Sequence, residues 1–322
     1  MGIMIIVTLI LSLIALLWSA NHLVSGASGV ALHYNLPPLL VGLTLVALGT
    51  STPEIMVAIS ASLEGFNDIA IGNAIGTNIA NIGLVLGLTA LLKPLKIQPT
   101  LFHREFPLLF LVMLFTYSIM LNGYLNVLDG SLFLLACVAL ILYFIFMTRQ
   151  HRSQRQLTVE FKNANLRKRS FKLHLASLIL GIIVLPISSR YLVNSCITLG
   201  HWLGVSDLFM GLTIVAIGTC LPELITSIVA AAKGADDIAI GNILGSNMFN
   251  LLAVMIFPSL IHPAPISHAV LWRDIPAMFI TTLILLWINY YNKKKLSRWH
   301  GGILVLVYVC YMISLIISAS SS

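Results

Sequence analysis

Charge is what this sequence has least of. Only 9% of its 322 residues are Asp, Glu, Lys or Arg, 58% are hydrophobic, and mean hydropathy is +0.98. Soluble globular domains are about one-quarter charged. So few charges cannot keep a surface wet, which excludes an ordinary soluble fold and leaves lipid as the main solvent. Cysteine is scarce as well. Cys137, Cys196, Cys220 and Cys310 lie in apolar stretches without CxxC spacing, which excludes a disulfide frame. There is no Cys/His cluster of the kind that favours zinc or copper. His22, His33, His103, His262, His268 and His300 read as interfacial residues at span ends. The apolar run from Ile3 to Leu17 has no basic residue before it and no small-residue cleavage site after it. It reads as a first membrane span, not a removable signal.

What the sequence does contain is long apolar runs. A spanning helix needs about 20 such residues. Candidates fall near 3–22, 38–63, 69–92, 106–122, 128–147, 173–195, 207–232, 238–261, 270–290 and 302–319. Backbone polar groups must be satisfied internally in lipid, so an all-α membrane protein of ten transmembrane helices is expected. The formal charge of +7 sits between spans and sets topology, so no nucleic-acid partner is implied. Arg149, Arg152, Arg155, Lys162, Arg167, Lys168, Arg169 and Lys172 face a lone Glu160, and this loop should be cytoplasmic. Counting from there puts both termini outside. It also puts Lys93, Lys96, Arg104, Lys233, Lys293, Lys294, Lys295 and Arg298 inside, leaving Arg190 and Arg273 towards the other face.

The chain repeats itself. Gly42-Leu-Thr-Leu-Val-Ala-Leu-Gly-Thr-Ser-Thr-Pro-Glu54 returns as Gly211-Leu-Thr-Ile-Val-Ala-Ile-Gly-Thr-Cys-Leu-Pro-Glu223. The segment from Gly65 to Asn81 returns from Gly234 to Asn250, and the offset holds at 169 (54 to 223, 73 to 242, 81 to 250). Five spans per half is an odd number, so the second copy should enter the membrane from the opposite side. Residues 1–148 and 173–322 then form two inverted five-helix repeats, joined by a basic cytoplasmic linker at 149–172. Inverted repeats are common in secondary transporters, with the site near the midplane where the repeats meet.

Two of the eleven acidic residues, Glu54 and Glu223, lie deep within spans at equivalent places in the repeat. Burying one carboxylate at a helix centre costs roughly 2.5–3.5 kcal/mol. No Lys or Arg lies in the repeat segments to neutralise them. Either they are protonated or a mobile cation is the missing partner. Pro53 and Pro222 precede the two acids and should break their helices, leaving carbonyl oxygens near Ala47–Thr50 and Ala216–Thr219 without partners. On the following helix Asn73, Thr77 and Asn81 form a polar stripe, and Asn242, Ser246 and Asn250 repeat it. Gly72, Gly76, Gly241 and Gly245 are spaced for close helix packing. Asn78 and Asn247 fall off the stripe and read as packing residues. Carboxylates, carbonyls, hydroxyls and amides are hard donors, and calcium takes six to eight such oxygens.

With its doubled G-T-S-x-P-E and G-N-x-x-G-S-N signatures, the chain resembles the sodium/calcium exchanger family in its compact prokaryotic form. The resemblance implies calcium ligation by Glu54 and Glu223 with the carbonyls of Thr50 and Thr219. It implies sodium sites built from the carbonyls of Ala47 and Ala216 with Ser51, Thr77, Asn81, Ser246 and Asn250. Cys220 stands where the family has Ser and weakens one possible sodium ligand; Thr77 replaces Ser, and Asn250 occupies a position that is acidic in some relatives. The Gly-Asn-Ala-Ile-Gly and Gly-Asn-Ile-Leu-Gly segments lack the acid usual in proton-coupled exchangers. The expectation is a calcium/sodium antiporter of a bacterial or archaeal cytoplasmic membrane, acting by alternating access. It would need lipid and its ions as partners, no cofactor, and function as a monomer. Proton coupling or a channel are the alternatives. An enzyme is not expected, since no His pair and no nucleophile beside a base is present.

Overall fold

Apolar runs in lipid leave the backbone no partner except itself, and the chain is accordingly helical. The computed structural model describes residues 2–34, 36–97, 104–151, 170–202, 216–292 and 295–320. Most of the basic loop at 149–172, the beginning of the 207–232 span, and Lys293 and Lys294 lie outside the described residues. Among the described residues seven helices are long and apolar enough to cross a membrane: α1 (Met4–Tyr34 of a helix from Gly2), α4 (Asn67–Leu92), α6 (Val127–Met147), α7 (Phe171–Cys196), α10 (Asp236–Ile261), α11 (Val270–Tyr291) and α12 (Arg298–Ser318). An eighth span is broken, with α2 (Pro38–Thr50) and α3 (Thr52–Leu63) bent by 43°. Shorter apolar helices are α5 (Glu105–Met120) and α9 (Leu221–Ala232), the latter preceded by α8 (Ala216–Thr219).

Two helices outrun the sequence expectation. α1 continues to Tyr34, past residue 22, and α7 continues to Trp202, past residue 195. The polar residues in these extensions do not end the helix because they bond back to it, as Ser25 Oγ does to the Asn21 carbonyl at 2.7 Å. The two helices pack along each other. A Cβ at Gly181 would lie 2.6 Å from Leu23 Cα, so small residues let the backbones touch.

Four two-residue strands were not expected from the sequence. β1 (Leu95–Lys96) pairs with β4 (Lys295–Leu296), and β2 (Tyr124–Leu125) pairs with β3 (Ala264–Pro265), both antiparallel. They tie loops at opposite ends of α10. Lys96 N–H donates to Asp236 Oδ2 at 3.0 Å where α10 begins, and β3 follows where α10 ends.

The two repeat copies share local geometry. Each acid-bearing helix ends in the same turn: Gly65 and Gly234 have φ of +80° and +76°. Phe66 N–H bonds to Ala61 O at 2.8 Å, and Ala235 N–H to Ala230 O at 2.9 Å. This is a Schellman closure, and its left-handed position requires glycine. The next helices, α4 and α10, are the most buried spans, and they run antiparallel. Asn67 at the start of α4 donates to the carbonyls of Pro258, in the last turn of α10, and His262, just beyond it. At the other end, Lys93 donates to the Ala231 carbonyl and pairs with Asp236 at 3.7 Å.

Candidate functional site

The breaks expected at the prolines are present, with the prolines placed at helix starts. Ser51, at φ −82° and ψ 7°, interrupts the span, and Cys220 does the same at φ −81° and ψ −1°. Pro53 and Pro222 occupy the first turns of α3 and α9, where a missing N–H costs nothing, and Glu54 and Glu223 follow in those turns. Each carboxylate thus sits at the positive end of a half-helix, while the carbonyl end of the preceding half-helix points at the same gap. Glu54 and Glu223 are both fully buried and lie within electrostatic reach of each other.

The two acids are not equally satisfied. Glu223 Oε1 accepts from Ser51 Oγ at 3.2 Å and from Ser246 Oγ at 3.4 Å. Among the described residues its Oε2, and both carboxylate oxygens of Glu54, have no hydrogen-bond partner. Neither has the amide oxygen of Asn81, nor either amide atom of Asn250, although both side chains are fully buried. Orphaned buried polar atoms are rare in native structures and need an explanation. Here they are five acceptor oxygens: two from Glu54 and one each from Glu223, Asn81 and Asn250. Asn81 and Asn250 each begin a π-helical turn, Asn81–Leu86 and Asn250–Val254. Wider turns of this kind often mark functional positions. The first packs against α9 and α10, the second against α3 and α4, so each Asn is brought toward the opposite half.

A network of hydroxyls and amides holds the broken span in place. Thr50 Oγ1 lies 3.0 Å from Asn242 Oδ1 and 3.3 Å from Ser246 Oγ. Asn242 Nδ2 donates to Ser227 Oγ at 3.1 Å. Asn247, read from the sequence as a packing residue, accepts from Asn81 Nδ2 at 3.0 Å and so leaves only the Asn81 oxygen open. Asn78 does bond locally, to the Ala74 carbonyl at 2.8 Å. The position of Asn247 off the polar stripe concealed its role, and only the tertiary pairing reveals it.

One expectation is corrected. The Ala47 carbonyl is not left open by the helix break. It accepts Ser51 N–H at 2.9 Å and Thr50 Oγ1 at 3.2 Å, because one more backbone amide continues the ladder before Pro53 interrupts it. In the second copy, Ser189 Oγ of α7 caps the Gly218 carbonyl at 3.2 Å, the group that Pro222 cannot reach with an N–H. Gly241 and Gly245 pack as expected, and a Cβ on Gly241 would meet Leu39 O at 2.5 Å. Most of the second-copy segment equivalent to α2 lies outside the described residues, and a Cβ on Gly72 or Gly76 meets no described atom within 4 Å.

These two glycines line a cleft of about 470 Å³ that also includes Asp68, Asn73, Thr77 and Thr219. Cys220 is buried next to Thr219, near Thr77 and within electrostatic reach of both acids, with its sulfur 4.0 Å from Thr219 Oγ1. Ala216 is in α8, the counterpart of the last turn of α2 that holds Ala47. Among the described residues no three His, Cys, Asp or Glu side chains converge on a metal position. The centre is two carboxylates surrounded by neutral oxygen donors, which suits hard cations and not zinc or copper.

Comparison with known proteins agrees with this chemistry. The profile described as "Sodium/calcium exchanger protein" matches residues 4–150 and 173–317. The putative antiporter CaxA of Alkalimonas amylolytica is 40% identical over 304 residues, 94% of this chain and 95% of its own. Inner membrane protein YrbG of Escherichia coli K12 is 38% identical, covering 92% of each chain. The sodium/calcium exchanger MaX1 of Methanosarcina acetivorans is 31% identical over 95% of this chain and 97% of its own. The solved structure of the sodium-calcium exchanger NCX_Mj soaked with zero Na+ and Ca2+ matches with a TM-score of 0.83 at 29% identity, covering 98% of this chain and 100% of that one. The protein is therefore an integral membrane protein that belongs to the sodium/calcium exchanger family.

Proposed function

We propose that this chain exchanges calcium for sodium across a prokaryotic cytoplasmic membrane by alternating access, with Glu54 and Glu223 as the shared ion-binding carboxylates. One observation carries the reading: five buried acceptor oxygens, three of them carboxylate, have no partner among the described residues and belong to residues paired by the repeat. An unneutralised pair of buried acids is costly, and calcium or successive sodium ions offset that cost. The names of MaX1 and NCX_Mj supply the ion pair; the oxygen-only centre supports it.

The architecture behind this proposal is two inverted five-span halves. The antiparallel course of α4 and α10, equivalent by the 169-residue offset, supports it. So do the ten apolar helical segments that follow the ten expected spans once α2 with α3, and α8 with α9, are each taken as one. The one-sided access to the centre supports alternating access: a cleft of about 470 Å³ lies between α4, α11 and α12 at the end of α4 away from Lys93. The end carrying Lys93, Lys96 and Lys233 faces the cytoplasm on the basic-residue rule, so the cleft opens outside. Exchanging the conformations of the two halves would reverse the opening.

Flux measurements test the coupling. Purified protein in liposomes should take up calcium-45 only when sodium is loaded inside. Uptake driven by an outward proton gradient alone would establish proton coupling instead, and passive uptake with no counter-ion would establish a channel.

A further inference from the structure

The cleft wall carries a second charged group that the exchange centre does not use. Arg273 and Asp274 end the π-helical turn Val270–Asp274 that opens α11. Consecutive residues on a regular helix do not face each other, yet these two side chains form a bidentate pair. Arg273 Nε donates to Asp274 Oδ1 at 2.7 Å, and Nη2 donates to Oδ2 at 3.1 Å. Tyr311 of α12 adds its hydroxyl to Oδ1 at 3.1 Å. Asp274 is buried, and the Arg273 side chain is only 29% exposed. Both line the cleft whose inner wall includes Thr77 and Thr219. The other titratable groups on that wall are Asp68 of α4 and Tyr308 and Tyr311 of α12.

Arg273 is also one of only two basic residues that the span count places away from the cytoplasmic face, so topology does not account for it. An unpaired guanidinium on this wall would repel every entering cation, and an unpaired carboxylate would attract it. As a closed pair the two contribute little net field, leaving Asp68 as the remaining formal charge among the described residues of the wall. We infer that Arg273 and Asp274 set the selectivity of the ion path: Asp274 is its outer carboxylate, and Arg273 is a built-in counter-ion that limits how strongly the cleft draws divalent cations inward. Narrow clefts lined by one sign of charge concentrate counter-ions, and a divalent ion feels the added charge twice as strongly as sodium does. The inference rests on the reading of the chain as a cation exchanger.

The test compares Arg273→Gln, Asp274→Asn and the double variant with the native chain. Calcium-45 is presented from the cleft side of sodium-loaded proteoliposomes, at low and high ionic strength. Arg273→Gln should lower the apparent KM for calcium by on the order of three- to tenfold, and added salt should shrink the difference. Asp274→Asn should raise it by a comparable factor, the double variant should return close to native, and maximal rates should change little. A purely structural clamp would move KM in the same direction in both single variants. That result, or an unchanged KM in a folded Arg273→Gln protein, overturns the inference. Should Asp274→Asn fail to fold, Arg273→Gln and the double variant still decide. Absence of sodium-dependent calcium flux in the native chain would instead refute the exchanger reading itself.

Discussion

Ser51 donates its hydroxyl to Glu223 across the two halves of the molecule at 3.2 Å, whereas both oxygens of Glu54, near Cys220, the repeat equivalent of Ser51, have no hydrogen-bond partner among the described residues. A thiol is a weak donor where a hydroxyl is a strong one. The duplicated site is therefore symmetric in its acids and unsymmetric in the groups that orient them.

Replacing Cys220 with Ser should supply the missing donor and a hard oxygen. A net hydrogen bond contributes about 0.5–1.5 kcal/mol, so the apparent sodium affinity should rise by roughly two- to tenfold. Ser51→Cys should lower it by a similar factor. Sodium titration of calcium-45 release from proteoliposomes measures both, and unchanged sodium dependence in Cys220→Ser would assign the thiol a packing role only.

Asn247 fixes the amide of Asn81, so its loss should act through Asn81. Removing a group that orients a metal ligand typically costs ten- to a hundredfold in affinity. Asn247→Ala is expected to raise the apparent calcium KM within that range while leaving the assembled fold intact. Far-ultraviolet circular dichroism checks the fold, and calcium titration of exchange checks the affinity.

Gly241 should tolerate no side chain. An added methyl there presses on the α2 backbone, and overpacking of this kind costs about 1–3 kcal/mol. Gly241→Ala should therefore unfold at lower temperature in detergent, and an unchanged melting temperature would contradict the close contact of α10 with α2.

Ion binding should register as stability. A ligand that binds only the folded state adds about 2.7 kcal/mol at a concentration one hundred times its Kd. Calcium should raise the melting temperature of the native protein, and chelation should reverse the rise. Glu54→Gln should melt at nearly the same temperature with and without calcium.

Much of this was legible in the sequence because duplication marks what is kept. Glu54 and Glu223, each after a proline and in register with its copy, announced both the buried charge and the broken helix. The Ala47 carbonyl was misjudged because a proline removes its own N–H but leaves the Ser51 amide free to complete the preceding turn. Asn247 was missed because helical periodicity describes one helix, and its partner Asn81 lies on another. The π-turns at Asn81 and Asn250 leave no periodic signature over five or six residues. The paired strands join segments too distant in sequence to suggest each other.

The most direct measurement is calcium-45 uptake into sodium-loaded proteoliposomes by the native chain, Glu54→Gln and Glu223→Gln, reconstituted at matched density. Native protein should show sodium-dependent uptake, and each variant, with one charge gone from the paired centre, should show none above empty liposomes. Exchange at near-native rate in either variant would mean that the two buried carboxylates are not where the transported cation is bound.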